Sequence, residues 1–137
     1  MALQRAGHCS PTAACIDHVG QPSSAADIVW EMLSTIDPEV VPHRRLTEHA
    51  AEAIALTYVH SWGRWSVKRV MNEGEFADWL LAREDDRLAL EVGGVTGTDG
   101  RAKLTQKLGQ IDQCTVAQQR LAVVVAFGKP EILAECR

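Results

Sequence analysis

The sequence predicts an α/β protein, and three observations carry that expectation. Two short apolar stretches, Phe76–Ala82 and Leu88–Val92, have the length and the polar bounding turns of strands covered on both faces. A continuous apolar run, Arg120–Phe127, reads as a central buried strand. Segments with helical periodicity begin at Thr47 and at Arg101, one before and one after the first pair of strands.

Taken in order, residues 1–22 contain Ser10-Pro11, Gly20 and Pro22 with no clear period, which predicts a loop or a partly ordered arm. His8, Cys9, Cys15 and His18 lie within it. Four soft ligands in so short a span suit zinc, but an adjacent His-Cys followed by Cys-x-x-His is not a usual finger spacing. They are read as polar loop residues, with zinc as the alternative. Ser24–Ile36 reads as an extra N-terminal amphipathic helix, with Ile28, Val29, Met32, Leu33 and Ile36 on one face and Asp37-Pro38 as its stop. Residues 1–44 are thus expected to be an arm and a helix packed on or extending the core, and residues 45–137 the main domain.

The next helix is predicted from an N-cap at Thr47 to about Trp62, with Gly63 ending it. Its alanines, Ala51 and Ala55 among them, predict close packing on a flat surface such as a sheet. Glu48 and Glu52 share a face, which periodicity alone reads as a solvated edge. Trp65–Met71 is predicted as a half-exposed edge strand. With the strands carrying Asp78 and Glu91 it makes an antiparallel meander, the second of them stopped at Gly93-Gly94. The segment GGVTGTDG then leads into a helix from about Arg101 to Cys114, with Leu104, Leu108 and Ile111 buried and Lys103, Lys107 and Gln110 beside them. A glycine-rich loop before a helix start can receive an anion through free N–H groups, although the glycine spacing matches neither a nucleotide P-loop nor a Rossmann turn. After the Arg120 strand, Glu131–Cys136 is a short terminal strand or a helical turn.

Composition bounds the function. The chain has 137 residues, 46% hydrophobic and 23% charged, as an ordinary one-domain globular protein has. No apolar run approaches the roughly 18 residues of a spanning helix, and MALQRAGHCSPTAAC has no signal-peptide core, so a cytoplasmic protein with no membrane partner is expected. Four scattered cysteines fit reduced thiols. The net charge is -4, yet residues 101–137 carry 6 bases against 3 acids. That pattern excludes a general polyanion binder and permits a local basic face beside an acidic site.

Asp78 and Glu91 are the single charges of their apolar strands. A carboxylate placed so is costly unless it is paired or coordinates a metal. Two of them on neighbouring strands therefore call for a shared divalent cation or a basic partner.

With these residues placed, the chain over Thr47–Phe127 resembles the PD-(D/E)XK, or restriction-endonuclease-like, superfamily, whose core runs helix, strand, strand, strand, helix, strand. The resemblance implies a mixed four-stranded sheet flanked by helices. It implies that Asp78 in FADWLL and Glu91 in LALEVGG bind Mg²⁺ or Mn²⁺, and that Glu52, or less directly Glu48, adds a helix carboxylate. It implies that Lys107 or Lys103 assists electrostatically, that Arg101 and Gln110 hold phosphates, and that the substrate is DNA. One position departs: where the family's Lys follows the acid by two, this chain has Gly93. In some members the cation has moved to the following helix, and Lys103 or Lys107 suits that role. The competing expectation is a catalytically inactive module for protein or nucleic-acid binding and assembly, with a partner protein or a second copy and with Asp78 and Glu91 paired to Lys103, Lys107 or Arg69.

Overall fold

The middle of the sheet is occupied by the two strands with the longest buried runs. In the computed structural model, which describes residues 2–29 and 43–137, Asp86–Val95 (β5) and Gln119–Ala126 (β6) pair in parallel from Leu88↔Gln119 to Val95↔Ala126. A parallel pair needs a crossover, and the helix Arg101–Ile111 (α3) supplies it. β6 alternates between two cores. Leu121, Val123 and Val125 meet Ala51, Ala55 and Val59 of the helix His43–Gly63 (α2), while Ala122 and Val124 meet Leu104, Leu108 and Ile111 of α3.

Beside β5 lie Trp79–Arg83 (β4) and then Ser66–Val70 (β3), both antiparallel. β3 is an exposed edge whose register shifts between Val67 and Arg69, an irregularity of the kind that blunts an edge against further pairing. On the other side of β6 come Glu131–Cys136 (β7, antiparallel), Thr12–His18 (β1, parallel to β7) and Ser24–Ile28 (β2, antiparallel to β1). A short helix, Ala2–Arg5 (α1), packs its Ala2 and Leu3 into the α2-side core.

The α/β class therefore stands, but the four-stranded sheet is corrected to a mixed sheet of seven, in the order β2-β1-β7-β6-β5-β4-β3. β7 folds back on β6 and β2 on β1 as sequence neighbours, whereas the junction of β1 with β7 joins segments far apart in the chain. Residues 12–18, expected in a loop, are extended because β7 offers a free edge from Cys15↔Glu131 to His18↔Ala134. Residues 24–28, expected to open a helix, pair with β1 from Thr12↔Ile28 to Ile16↔Ser24. A hydrogen-bonded ladder outweighs a weak local helical preference; the rest of that expected helix, residues 30–36, lies outside the described residues.

Element boundaries also move, two of them at the site. α2 begins at His43, so Thr47 is a buried residue inside the helix, where Arg44 and Glu48 make an i, i+4 ion pair at 2.9 Å. β5 does not stop at Gly93-Gly94 but runs through both to Val95. Successive strand residues face opposite sides, and each glycine admits a different helix. A Cβ on Gly94 would stand 2.9 Å from the Thr47 carbonyl oxygen and 3.0 Å from Ala51 Cβ on α2. On the other face, a Cβ on Gly93 would meet Lys103 and Lys107 of α3. Among the described residues no helix is long and apolar enough to cross a membrane.

Candidate active site

The β4–β5 register places the two acids. Pairing runs from Arg83↔Asp86 to Trp79↔Leu90, and one further step sets Asp78 opposite Glu91. Asp78 thus precedes β4 instead of lying within a strand from Phe76, because Phe76 has a φ of 58°, incompatible with an extended chain. The Asp78 backbone N–H donates to the Leu90 carbonyl at 3.0 Å. The Val92 N–H donates to Asp78 Oδ2 at 2.7 Å, so a side chain extends the ladder just before β4 begins.

Glu91 is 4% exposed, and its neighbours Leu90 and Val92 belong to the α2-side core. Its carboxylate accordingly points toward α3, where Lys107 Nζ donates to Glu91 Oε1 at 2.5 Å. The Lys107 side chain is itself 15% exposed. Burial pushes the Glu91 carboxyl up to about 6 despite Lys107, whose hydrogen bond and charge pull it down. Asp78 adds to the rise through its charge and through a hydrogen bond between the two carboxyls. Asp78, Glu91 and Lys107 therefore form one contiguous polar group on the α3 face.

Gly93 explains how the amine reaches it. Residue 93 lies two beyond Glu91 and on the same face. A Cβ there would sit 3.2 Å from Lys103 Cγ and 3.4 Å from the Cε atoms of both Lys103 and Lys107. The two lysine stems occupy the space over Gly93 that a side chain at this position would need. Lys103 Nζ turns aside to donate to Gln106 Oε1 at 3.1 Å.

The other expected site residues are distributed differently. Glu52, expected as a third metal carboxylate, pairs instead with His49 on α2 at 3.3 Å. Glu48, held by Arg44, lines a cleft of about 490 Å³ with Thr47, Gly94, Thr96, Gly97 and Lys103, so it is the α2 acid that shares a cleft with an α3 lysine. Among the described residues, no three His, Cys, Asp or Glu side chains converge on a point where a metal would sit. Arg101, expected to hold a phosphate, donates to Asp17 Oδ2 of β1 at 2.9 Å, a partner that local sequence does not reveal. Gln110 follows Lys107 by three residues on α3, and its buried Oε1 has no hydrogen-bond partner.

The His8, Cys9, Cys15 and His18 group does not assemble as a metal site. His8 Nε2 bonds the Phe127 carbonyl at 2.9 Å, and Cys9 and Cys15 are exposed. His18 joins a cluster that sequence reasoning missed: its Nδ1 lies 2.5 Å from Tyr58 Oη, and its Nε2 lies 3.5 Å from Cys136 Sγ. Strands β1 and β7 and helix α2 contribute one member each, and nothing in the local pattern of any of them signals the meeting.

Comparison with protein-family models, with curated protein sequences and with solved structures returned no match. The class this chain defines is that of an α/β protein with a mixed seven-stranded sheet and a half-buried acid–acid–amine group between its centre and α3.

Proposed function

We propose that the chain is a metal-dependent, nuclease-like hydrolase acting on DNA phosphodiesters, with Asp78 and Glu91 as cation ligands and Lys107 as the amine that attends the phosphate. The observation that carries this reading is the delivery of Lys107 Nζ to Glu91 through the space over Gly93. An amine from α3 there takes the place of a lysine at residue 93, which is what the resemblance to the PD-(D/E)XK superfamily asks of a chain with glycine at that position.

The donor set fits the implied ion. Two facing carboxyl groups suit a hard, oxygen-seeking cation such as Mg²⁺ or Mn²⁺, which keeps several of its waters and takes one or two protein carboxylates. Held by Asp78 and Glu91, it would supply a water of lowered pKa and neutralise charge on a phosphate. Glu91 must be ionised to serve as a ligand, and with its carboxyl near 6 it is mostly so at neutral pH. Lys107 Nζ, at 2.5 Å, keeps that carboxylate oriented and leaves a positive charge at the site where a phosphate would gain negative charge. The covering stems of Lys103 and Lys107 limit water on this face of β5. Cleavage of DNA in Mg²⁺ or Mn²⁺ that disappears in Asp78→Ala and Glu91→Ala is the expected result. Failure to cut any single- or double-stranded substrate with either ion refutes the enzymatic reading.

A second reading has its own support. Lys107 already neutralises Glu91, and no third acid joins the pair among the described residues. On that reading the group is a buried ion pair in an inactive binding or assembly module. Calorimetric titration with Mn²⁺ separates the two: heat that vanishes in Glu91→Ala supports the hydrolase, and absence of heat in the unaltered protein supports the module.

A further inference from the structure

The loop that delivers Asp78 also presents an aromatic ring to solvent. It runs from Met71 to Asp78 and is anchored at both ends. The Met71 N–H donates to the Asp78 carbonyl at 2.9 Å, and the Asp78 N–H donates to Leu90 at 3.0 Å. Between these points Arg69 grips Glu75 with two bonds of 2.8 Å, the Asn72 N–H also donates to the Glu75 carboxylate, and the Glu75 N–H donates to the Asn72 carbonyl at 3.1 Å. Phe76, the next residue, is left 46% exposed with a φ of 58°.

That combination is unfavourable twice over. A left-handed backbone crowds the Cβ of any L-residue, and for a bulky side chain it is an outlier. Among the described residues, the other two non-glycine positions at positive φ, Arg64 and Glu84, carry polar side chains in tight turns between elements. Phe76 gains little from burial, since it is 46% exposed and belongs to neither hydrophobic core. Backbone strain of this kind persists where the surroundings over-determine it, and it clusters at sites that act on ligands. Here the surroundings are the Arg69–Glu75 clamp, and the nearest chemistry is the acid two residues on.

We infer that Phe76 is a stacking platform for an unpaired nucleobase, so that the substrate of the Asp78–Glu91 site is single-stranded or locally unpaired nucleic acid. The inference rests on the hydrolytic reading for its choice of ligand. A base within a duplex has both faces covered by its neighbours, and an aromatic side chain reaches a base face where the strand is unstacked. A ring fixed before binding loses little freedom on stacking, which is the benefit of a rigid, exposed aromatic. The phosphate beside such a base would lie at Asp78, two residues along a clamped chain.

The test measures binding of a short fluorescein-labelled single strand, and of its duplex, to the full chain by anisotropy. Glu91→Ala is present throughout, so that no strand is cut. The single strand is expected to bind more tightly than the duplex, Phe76→Ala to weaken it about tenfold, and Phe76→Trp to keep it. Phe76→Gly should weaken it equally while melting no lower than the parent, because glycine accepts the positive φ. Equal affinity for strand and duplex, no binding at all, no effect of Phe76→Ala, or a clear drop in melting temperature for Phe76→Gly would each overturn the inference. A protein that binds the strand through Phe76 yet cuts nothing when Glu91 is intact would defeat the hydrolytic reading alone; one that cuts duplex DNA regardless of Phe76 would defeat the platform alone.

Discussion

Two polar groups, each built around a buried member, lie on opposite faces of this sheet, and they behave differently. On the α2 face, His18, Tyr58 and Cys136 touch in a chain, with Trp62 packed on the His18 ring at 4.6 Å. Burial lowers the His18 pKa, pushes Tyr58 up to about 12 and raises the Cys136 thiol. Every shift there holds a neutral form, so the cluster exchanges hydrogen bonds without carrying charge at neutral pH. On the α3 face, the Glu91 carboxyl is buried beside Asp78 and paired with the Lys107 amine, in a place where charge is costly. A self-satisfied neutral cluster needs nothing further, whereas two facing carboxyls with one amine have room for another positive charge. This contrast is why the proposed hydrolytic site is sought on the α3 face and not at the histidine cluster.

The contrast can be broken most severely by altering the acids. Asp78→Ala and Glu91→Ala are each expected to abolish metal-dependent cleavage and the heat of Mn²⁺ binding, whereas Tyr58→Phe should leave both intact. Removing the amine comes next. Lys107→Ala leaves Glu91 buried without its cation, and denaturant unfolding at pH 8 should show a loss of about 3 kcal/mol. The loss should shrink on acidification, when Glu91 takes up a proton. Tyr58→Phe, by contrast, strands one nitrogen of a buried neutral ring and should cost about 1–2 kcal/mol with little pH dependence.

Gly93 offers a sharper version of the same test. Gly93→Lys places a side chain against Lys103 and Lys107, and should lower stability by about 1–3 kcal/mol through overpacking. Combining it with Lys103→Ala and Lys107→Ala clears the space and returns the amine to strand β5. The triple variant is expected to recover stability and measurable cleavage that Lys107→Ala lacks. Recovery of stability with no cleavage would turn the argument toward the inactive module.

The smallest expected effect is in pH dependence. The Glu91 carboxyl is raised in the folded protein, to about 6 from 4.5. Between those values the folded state binds more protons than the unfolded state, so stability falls as pH rises through this window and stays reduced above it. Relative to Glu91→Gln, the unaltered protein should gain on the order of 1–2 kcal/mol on going from pH 7 to pH 4.5. Mn²⁺ affinity should move the opposite way, weakening as pH drops below about 6. A Glu91→Gln variant with the same pH profile as its parent would show that the carboxyl does not titrate in this range.

How much of this was legible beforehand depended on where each residue's partners lie. Asp78 and Glu91 stood out because each is the single charge in an apolar stretch, and a register set by one short turn carries them to the same place. Lys107 could be named only together with Lys103, since both share a helix face and the choice between them is made by a strand distant in sequence. Glu52 illustrates the reverse: helical position alone offered it to the metal, and the packing of α2 gave it His49 instead. Phe76 was absorbed into a strand because it is apolar beside apolar residues, while its φ is imposed by Arg69 and Glu75.

What the sequence determined by itself is the local character of the segments from 47 onward: two helices, the apolar strands, and the unusual acids within or beside them. Periodicity records which face of an element is buried, and each element carries that record in its own residues. The tertiary structure alone decided that segments 12–18 and 24–28 join β7 to widen the sheet to seven strands, that Arg101 belongs to Asp17, and that one lysine of two meets Glu91. Those outcomes depend on strand edges and side-chain space that other elements supply, and no element's own residues record them.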